Sequence, residues 1–250
     1  MQKTVEQTLL QRRSIRRYTR DAIAREDLEF IYDAIRNTPT SYNGQQYTVV
    51  DIDDQELKER LYGLTGQKQI KTCSHFMVFC ADYRKIALAG AVKGVETGRF
   101  PATADGYTVG VIDASLALMG ALVAAESRGL GTCPIGYIRT ASPTAVSEEL
   151  RLPEGVMAVC GLAIGVPREL PDLKPKQPSD VLIQHNSYGC DSLVPQILEY
   201  DREVVRYNQT REGTKSDNDW IAHIASYYHE GEGYDILAAA RRQGFLKENR

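Results

Sequence analysis

Two hydrophobic periods alternate along the chain and predict four strands separated by helices. Apolar or β-branched runs of strand length occupy residues 47–52, 76–80, 132–138 and 156–166, the third as a short strand and turn. Helical spacing covers residues 25–37, 55–64, 142–150 and 193–207. Thr4 and Gln7 have the spacing of a capping box, which predicts a first helix running up to the arginines that follow. The pattern places the chain in the mixed α and β classes without fixing the order of the strands.

The strongest helical signal lies at residues 109–129, which are apolar almost all round and rich in Ala and Gly. A helix of this kind must be covered on all sides, so we expect a central helix whose surplus apolar surface forms a subunit interface. Gly129 is expected to supply its left-handed C-cap. The apolar window at 109–125 contains Asp113 and is short for a bilayer. Residues 100–107, just before it, are predicted to be a flexible crossing.

The last part of the chain is more polar than the rest. It predicts a charged helix over 193–207, a polar loop over 208–219 and a helical segment over 220–245 that breaks near Gly231. Such a segment is too polar to form a core of its own. We therefore divide the chain into a ligand-binding core, residues 1–190, and a C-terminal arm, residues 191–250, which wraps around a partner subunit.

Composition excludes several classes of protein. The chain has 250 residues, a formal net charge of -3 and a pI near 5.9, whereas nucleic-acid-binding domains usually carry a basic balance. The five cysteines lack CxxC spacing, which disfavours a disulfide framework or a zinc site and fits a reducing compartment. No apolar leader opens the sequence, so a cytoplasmic protein is expected. The sequence contains no GxSxG, HExxH, P-loop or GxGxxG motif.

A local concentration of positive charge stands out against this neutral background. It comprises Arg12, Arg13, Arg16, Arg17 and Arg20, with Ser14 among them. Like charges four residues apart on a helix cost about 0.2–0.5 kcal/mol per pair, and the planar fork of arginine suits phosphate. We therefore assign Arg12, Arg13 and Arg16 to an anion, and Arg17 and Arg20 to surface charge or ion pairs. The alternative is a solvated, frayed first helix.

Other hydrogen-bond donors and cations follow predicted elements. They are Thr40, Ser41 and Asn43, Gln67, the turn at Gly136, and Lys174 with Lys176. The two lysines would face the same side of an extended chain. None of these groups forms a nucleophile–base pair. Many donors and few acceptors suit a phosphorylated, heteroaromatic cofactor that supplies its own chemistry.

Several segments in order resemble the FMN-dependent nitroreductase superfamily. The sequence RSIRRY at 13–18 and the hydroxyl-rich loop at 39–42 are similar to its opening motifs. The chain resembles one branch of this superfamily specifically. That branch comprises the oxygen-insensitive NADPH nitroreductases and NADPH:flavin oxidoreductases with a long C-terminal arm. The segments that resemble it are TGQ at 65–67, FCAD at 79–82, AAESRGLG at 124–131, IG at 135–136 with Arg139, PDLKPK at 171–176 and HNSY at 185–188.

This resemblance implies an α+β fold, a three-layer sandwich with a central, mostly antiparallel sheet, flanking helices and a C-terminal arm that wraps the partner of a homodimer. It implies an FMN-dependent NAD(P)H oxidoreductase, with NADPH favoured over NADH. Two electrons would pass as hydride through flavin N5, in a ping-pong cycle, to nitroaromatics, quinones or free flavin. No catalytic side chain, metal, nucleic acid or membrane is expected.

The resemblance also implies roles for individual residues. The FMN phosphate and part of the ring would be held by Arg12, Arg13, Ser14 and Arg16, with added charge from Lys174 and Lys176. The partner subunit would contribute Thr40, Ser41 and Tyr42, and Gln67 would touch the flavin edge. A turn beside the isoalloxazine would comprise Pro134, Ile135, Gly136 and Tyr137. Arg211 would hold the 2′-phosphate of NADPH.

The chain departs from the family at the flavin turn. Pro134 stands where the family often has an aromatic residue, and it has no amide hydrogen to donate. Tyr137 stands where a second glycine is common and would add bulk beside the ring. These departures bear on acceptor preference more than on the cofactor. They also leave open an alternative function, a protein that carries or senses FMN without turnover.

Overall fold

The structure is a computed structural model that describes residues 3–189 and 193–247. Its strands are β1 (Tyr47–Ile52), β2 (His75–Asp82), β3 (Gly131–Ile135) and β4 (Val156–Gly165). Its helices are α1 (Val5–Gln11), α2 (Arg25–Arg36), α3 (Gln55–Thr65), α4 (Lys68–Thr72), α5 (Arg84–Lys93), α6 (Ala104–Ser127), α7 (Tyr137–Thr140), α8 (Pro143–Glu149), α9 (Ser179–Leu182), α10 (Leu193–Thr210), α11 (Trp220–Gly231) and α12 (Ile236–Arg242). Short 3-10 turns lie at Ser41–Asn43 and Phe100–Ala102.

The four strands form one antiparallel sheet in the order β1-β2-β4-β3. Successive side chains of β2 point to opposite faces, so Met77 and Phe79 join one apolar cluster while Phe76 and Val78 join another. The first cluster lies under α2 and α6, and the second lies under α3, α4 and α8. The predicted α+β, three-layer sandwich with an antiparallel central sheet is confirmed.

Helix α6 is the central helix, as predicted, but it begins earlier than the sequence indicated. The flexible crossing predicted at residues 100–107 is wrong, because the Thr103 hydroxyl accepts a hydrogen bond from the Gly106 amide at 3.0 Å and caps a helix that starts at Ala104. Helix α6 has 24 residues and contains an 18-residue apolar window with a mean hydropathy of 1.9, so it is long and apolar enough to span a bilayer. However, 56% of its apolar window is buried inside the protein, which is the behaviour of a core helix.

The starts of two helices differ from what their local sequence indicates. The polar run at residues 65–69 is typical of a loop, yet α4 already begins at Lys68, after Gly66 ends α3 in the left-handed region. Serine is a common helix cap, yet the Ser142 side chain makes no capping hydrogen bond to α8. The capping box of α1 is confirmed. The C-cap is also confirmed, since Gly129 has a φ of 81°.

The described chain divides into two compact units. The first comprises the described residues up to Leu170 and those from Asp235 onward, and the second comprises Pro171–Tyr234. After the predicted break near Gly231, Ala240 of helix α12 and Phe245, just beyond its end, join the core cluster that contains α6. The boundary predicted between residues 190 and 191 lies outside the described residues.

Candidate functional site

The arginine segment is extended rather than helical. Helix α1 ends at Gln11, and Arg12 already has extended dihedrals. Ser14 forms a parallel bridge with Thr132 at the start of β3, and the Ile15 amide donates to the Thr132 carbonyl at 2.8 Å. Neither like-charge pairing on a helix nor the alternative of a frayed helix therefore applies. The bridge holds the arginines beside the strand that leads into the predicted flavin turn.

Arg12 carries hydrogen-bond donors that the described residues do not satisfy. Its Nε and Nη2 atoms are buried without a hydrogen-bond partner, although Nε lies 3.8 Å from Oε1 of Glu126. The Glu126 carboxyl is already bonded to the Thr132 hydroxyl at 2.5 Å, and burial raises its pKa while that bond and the Arg12 charge oppose the rise. Buried, unsatisfied donors are costly, so this guanidinium fits a bound anion such as a phosphate.

Arg16 and Arg17 are held by one carboxylate. Oε1 of Glu169 accepts from the amides of Arg16 at 2.8 Å and Arg17 at 3.2 Å, and Oε2 lies 3.6 Å from Nε of Arg17. Of the two roles predicted for Arg17, surface charge or ion pair, the structure shows an ion pair. The Arg16 guanidinium makes only a long contact, 3.5 Å, to the Ser14 carbonyl. Glu169 was not found from the sequence, because its partners lie 153 and 152 residues away.

Gln67 and the predicted flavin turn meet the arginine segment. Oε1 of Gln67 accepts from Nε2 of Gln69 at 3.0 Å. The buried Cys133 thiol has its pKa raised by burial, against the opposing effects of Arg16, Gln69 and Ser14. Arg16, Gln69 and Ser14 therefore lie near Cys133, the residue that precedes the turn. A thiol with a raised pKa stays protonated at neutral pH, which disfavours a role as nucleophile.

The turn itself combines buried and accessible positions. Pro134 is exposed on the edge strand β3, the usual place for proline in a sheet, while Ile135 is buried. Open space surrounds the position that a Cβ would take on Gly136. Tyr137 begins α7 and is partly buried. Because Gly136 has no side chain, the backbone here is open to the approach of a planar ring.

The hydroxyl-rich loop lies elsewhere. The Ser41 amide donates to Oδ1 of the fully buried Asp113 at 3.0 Å, and the Gln45 amide donates to the Thr40 hydroxyl at 3.1 Å. Tyr42 has a φ of 59° and is 84% exposed. Asp113 and Glu126, beside Arg12, both belong to α6. Residue 113 precedes residue 126 by 13 positions, or about 20 Å along the helix axis. The structure does not bring the loop and the arginines together within one chain.

The second unit brings together three cations that the sequence analysis named. Lys174, Lys176 and Arg211 line a cavity of about 380 Å³, with aromatic walls from Tyr200, Tyr207 and Trp220. Nε of Arg211 donates to the Thr214 carbonyl at 2.9 Å, and its guanidinium carbon lies 5.9 Å from the centre of the Tyr207 ring. The aromatic walls were not predicted, because Tyr200 and Tyr207 on α10 meet Trp220 on α11 only in the folded chain. Cations beside aromatic rings suit a phosphorylated ring compound.

The sequence matches two family models. The model described as "Nitroreductase family" matches residues 9–166, and "Nitroreductase family, C-terminal domain" matches residues 174–248. Curated relatives include "FMN reductase [NAD(P)H]" of Bacillus subtilis, 36% identical over 98% of each chain. The "Oxygen-insensitive NADPH nitroreductase" of Salmonella typhimurium is 34% identical over 98% of this chain and 99% of that protein.

A solved structure agrees with these matches. The "hypothetical oxidoreductase YcnD from Bacillus subtilis" superposes with a TM-score of 0.93 at 35% identity, covering 98% of this chain and 99% of that one. Both units described above therefore have counterparts in solved proteins of similar length.

Proposed function

This chain belongs to the nitroreductase family, and on that premise we propose that it is an FMN-dependent NAD(P)H oxidoreductase acting on small molecules. Its cofactor is FMN, and its preferred electron donor is NADPH, as the names of its relatives indicate. The observation that carries the proposal is the pair of buried, unsatisfied donors on Arg12, in a segment bridged to the predicted flavin turn.

The residues of the first unit suit the parts of FMN in turn. Arg12, Arg13, Ser14 and Arg16 would hold the phosphate and part of the ring, with Gln67 at the ring edge. Pro134, Ile135, Gly136 and Tyr137 would form the wall beside the isoalloxazine. From the second unit we assign Lys174 and Lys176 to the phosphate, and Arg211 to the 2′-phosphate of NADPH. When bound, FMN supplies hydride transfer through N5, which we propose runs as a ping-pong cycle to nitroaromatics, quinones or free flavin.

We further propose that the enzyme is a homodimer whose two sites are shared between subunits. The separation of about 20 Å along α6 keeps Thr40, Ser41 and Tyr42 away from the arginines of their own chain. On the same helix Ile112, Leu116 and Met119 are 47%, 43% and 40% exposed, and their spacing places them on one face. This apolar face suits a second copy, which would bring its hydroxyl loop to the arginines. The C-terminal arm would wrap that copy.

A mixing experiment tests the shared site. Copies carrying Arg16→Ala and copies carrying Ser41→Glu should each retain little FMN. After unfolding and refolding together, half of the dimers are hybrids, and each hybrid holds one intact site. Roughly a quarter of all sites should then bind flavin, as measured by absorbance per chain. If mixing restores no flavin, each site lies within one chain and the proposal is wrong.

Stopped-flow absorbance tests the function. Purified protein should show a flavin spectrum or acquire one on adding FMN, and NADPH should bleach it at lower concentration than NADH. A protein with no flavin spectrum that takes up no FMN would contradict the proposal. Steady-state NADPH oxidation with a quinone separates the enzyme from a carrier or sensor, which would bleach once and stop.

The chemistry of the thiols supports a cytoplasmic location. Cys73, Cys80, Cys133 and Cys160 are all free, and burial raises the pKa of Cys73 and of Cys80 to about 12. Cys190 lies outside the described residues. Free, protonated thiols are typical of the cytoplasm, where glutathione keeps cysteines reduced. We therefore place the enzyme in the cytoplasm.

A further inference from the structure

A cationic groove opens beside the predicted flavin site. It has a volume of about 530 Å³ and is lined by Arg16, Arg17, Lys68 and Arg168, with Gln69 and Thr72. Pockets of this size hold ring compounds in many proteins. Among the described residues that line it, none is acidic. We call it the Lys68–Arg168 groove.

The charge of the groove is poorly compensated. In the described part of the chain, the side chains of Lys68 and Arg168 form no ion pair or hydrogen bond. The nearby carboxylate of Glu169 is already engaged by two backbone amides and by Arg17. Gathering like charges at one place costs free energy and concentrates positive potential in the groove. In a protein with a net charge of -3, such a feature is local and needs its own explanation.

The groove adjoins the predicted flavin site on two sides. Arg16 belongs to both, and Gln69 in the groove wall donates a hydrogen bond to Gln67 at 3.0 Å. Arg12, which precedes Ser14 in the chain, lies 3.8 Å from Glu126 and supplies the buried donors suited to the FMN phosphate. Of the groove cations, Arg17, Lys68 and Arg168 are therefore additional to those assigned to the cofactor, and Arg16 is shared.

We propose that the Lys68–Arg168 groove binds the anionic group of the electron acceptor, so that the enzyme selects carboxylated, sulfonated or phosphorylated acceptors over neutral ones. This inference rests on the proposed function. The groove raises the local concentration of anionic acceptors and orients them toward the flavin from the Gln67 edge. Exposed cations act mainly through this steering, which weakens as salt screens it.

The test compares a naphthoquinone with its sulfonate, using the holoenzyme and saturating NADPH. The measured quantity is the ratio of kcat/KM for the sulfonate to kcat/KM for the uncharged quinone. The double variant Lys68→Ala, Arg168→Ala should lower this ratio about tenfold, and Lys68→Glu, which changes the groove charge by the same amount, should lower it to a similar extent. Rising ionic strength should lower the ratio for the native enzyme and leave it nearly constant for the double variant. Lys93→Ala, an exposed lysine at the end of α5, removes one charge elsewhere and should leave the ratio unchanged.

Three other outcomes would overturn the inference. An unchanged ratio in the double variant shows that the groove does not distinguish anionic from uncharged acceptors. Loss of bound flavin from the variant assigns the groove to the cofactor, and a changed dependence of bleaching on NADPH concentration assigns it to the electron donor. A native enzyme that reduces neither quinone contradicts the proposed function itself, which keeps the two failures distinct.

Discussion

Replacing Arg16 by alanine is expected to weaken FMN binding about 10- to 100-fold. A hydrogen bond to a charged group contributes about 1.5–3 kcal/mol, and each 1.4 kcal/mol corresponds to about a factor of ten in affinity. Glu169 fixes the backbone at this position, so the guanidinium is held near the Ser14 carbonyl and the β3 turn. The alanine variant loses the charged guanidinium donor. It keeps the hydrogen bond that holds the segment in place, because Glu169 accepts from the backbone amide of residue 16.

Flavin released on dilution, followed by fluorescence, measures this effect. Arg16→Lys keeps the charge but loses the planar fork, so we expect it to fall between the native protein and the alanine variant. Arg20→Ala is the matched control, since it removes an exposed arginine that is not assigned to the cofactor. The assignment of Arg16 to FMN is wrong if Arg16→Ala retains flavin as well as Arg20→Ala does.

The part of the site that the sequence could predict is the part that is continuous in the chain. Four arginines and a serine within residues 12–17 are visible as a cluster, and family resemblance orders the other segments. The sequence does not reveal four charged residues near this cluster, because only the fold brings their segments to it: Glu126, Glu169, Lys68 and Arg168. Glu169 bonds residues 153 and 152 positions away, a contact that no local pattern contains. The roles of Thr40, Ser41 and Tyr42 remain a prediction that depends on a second chain.

The fold shows the same division between local and distant causes. The apolar and β-branched runs predicted all four strands, because strand formation follows from local side-chain shape as well as from pairing. Their order is set by packing between distant segments. The start of α6 was misplaced because Pro101 and Gly106 were interpreted as flexible positions. A Cβ on Gly106 would lie 1.9 Å from the Phe100 carbonyl oxygen, so the glycine serves close packing of a capped helix start.

The second large effect is expected at the end of the chain, where Phe245→Ala should cost about 3–5 kcal/mol of stability. Phe245 is fully buried in the core cluster that contains α6, with its ring 6.0 Å from that of Tyr83 and 6.1 Å from that of Tyr107. Removing the ring leaves a cavity and loses two edge-on aromatic contacts. For a chain of this size the corresponding drop in Tm is roughly 6–20 °C.

Thermal unfolding of the holoprotein, followed by circular dichroism, tests whether the last segment completes the core. Leu237→Ala in α12 provides the control, because Leu237 is 48% exposed and its truncation should lower Tm only slightly. The polar composition of residues 191–250 conceals this role, since the apolar residues of α12 are few and their partners lie far away in sequence. Equal, small effects of the two variants would mean that the segment is a detachable arm. A large effect confined to Phe245→Ala means that the first unit cannot reach full stability until the end of the chain returns to it.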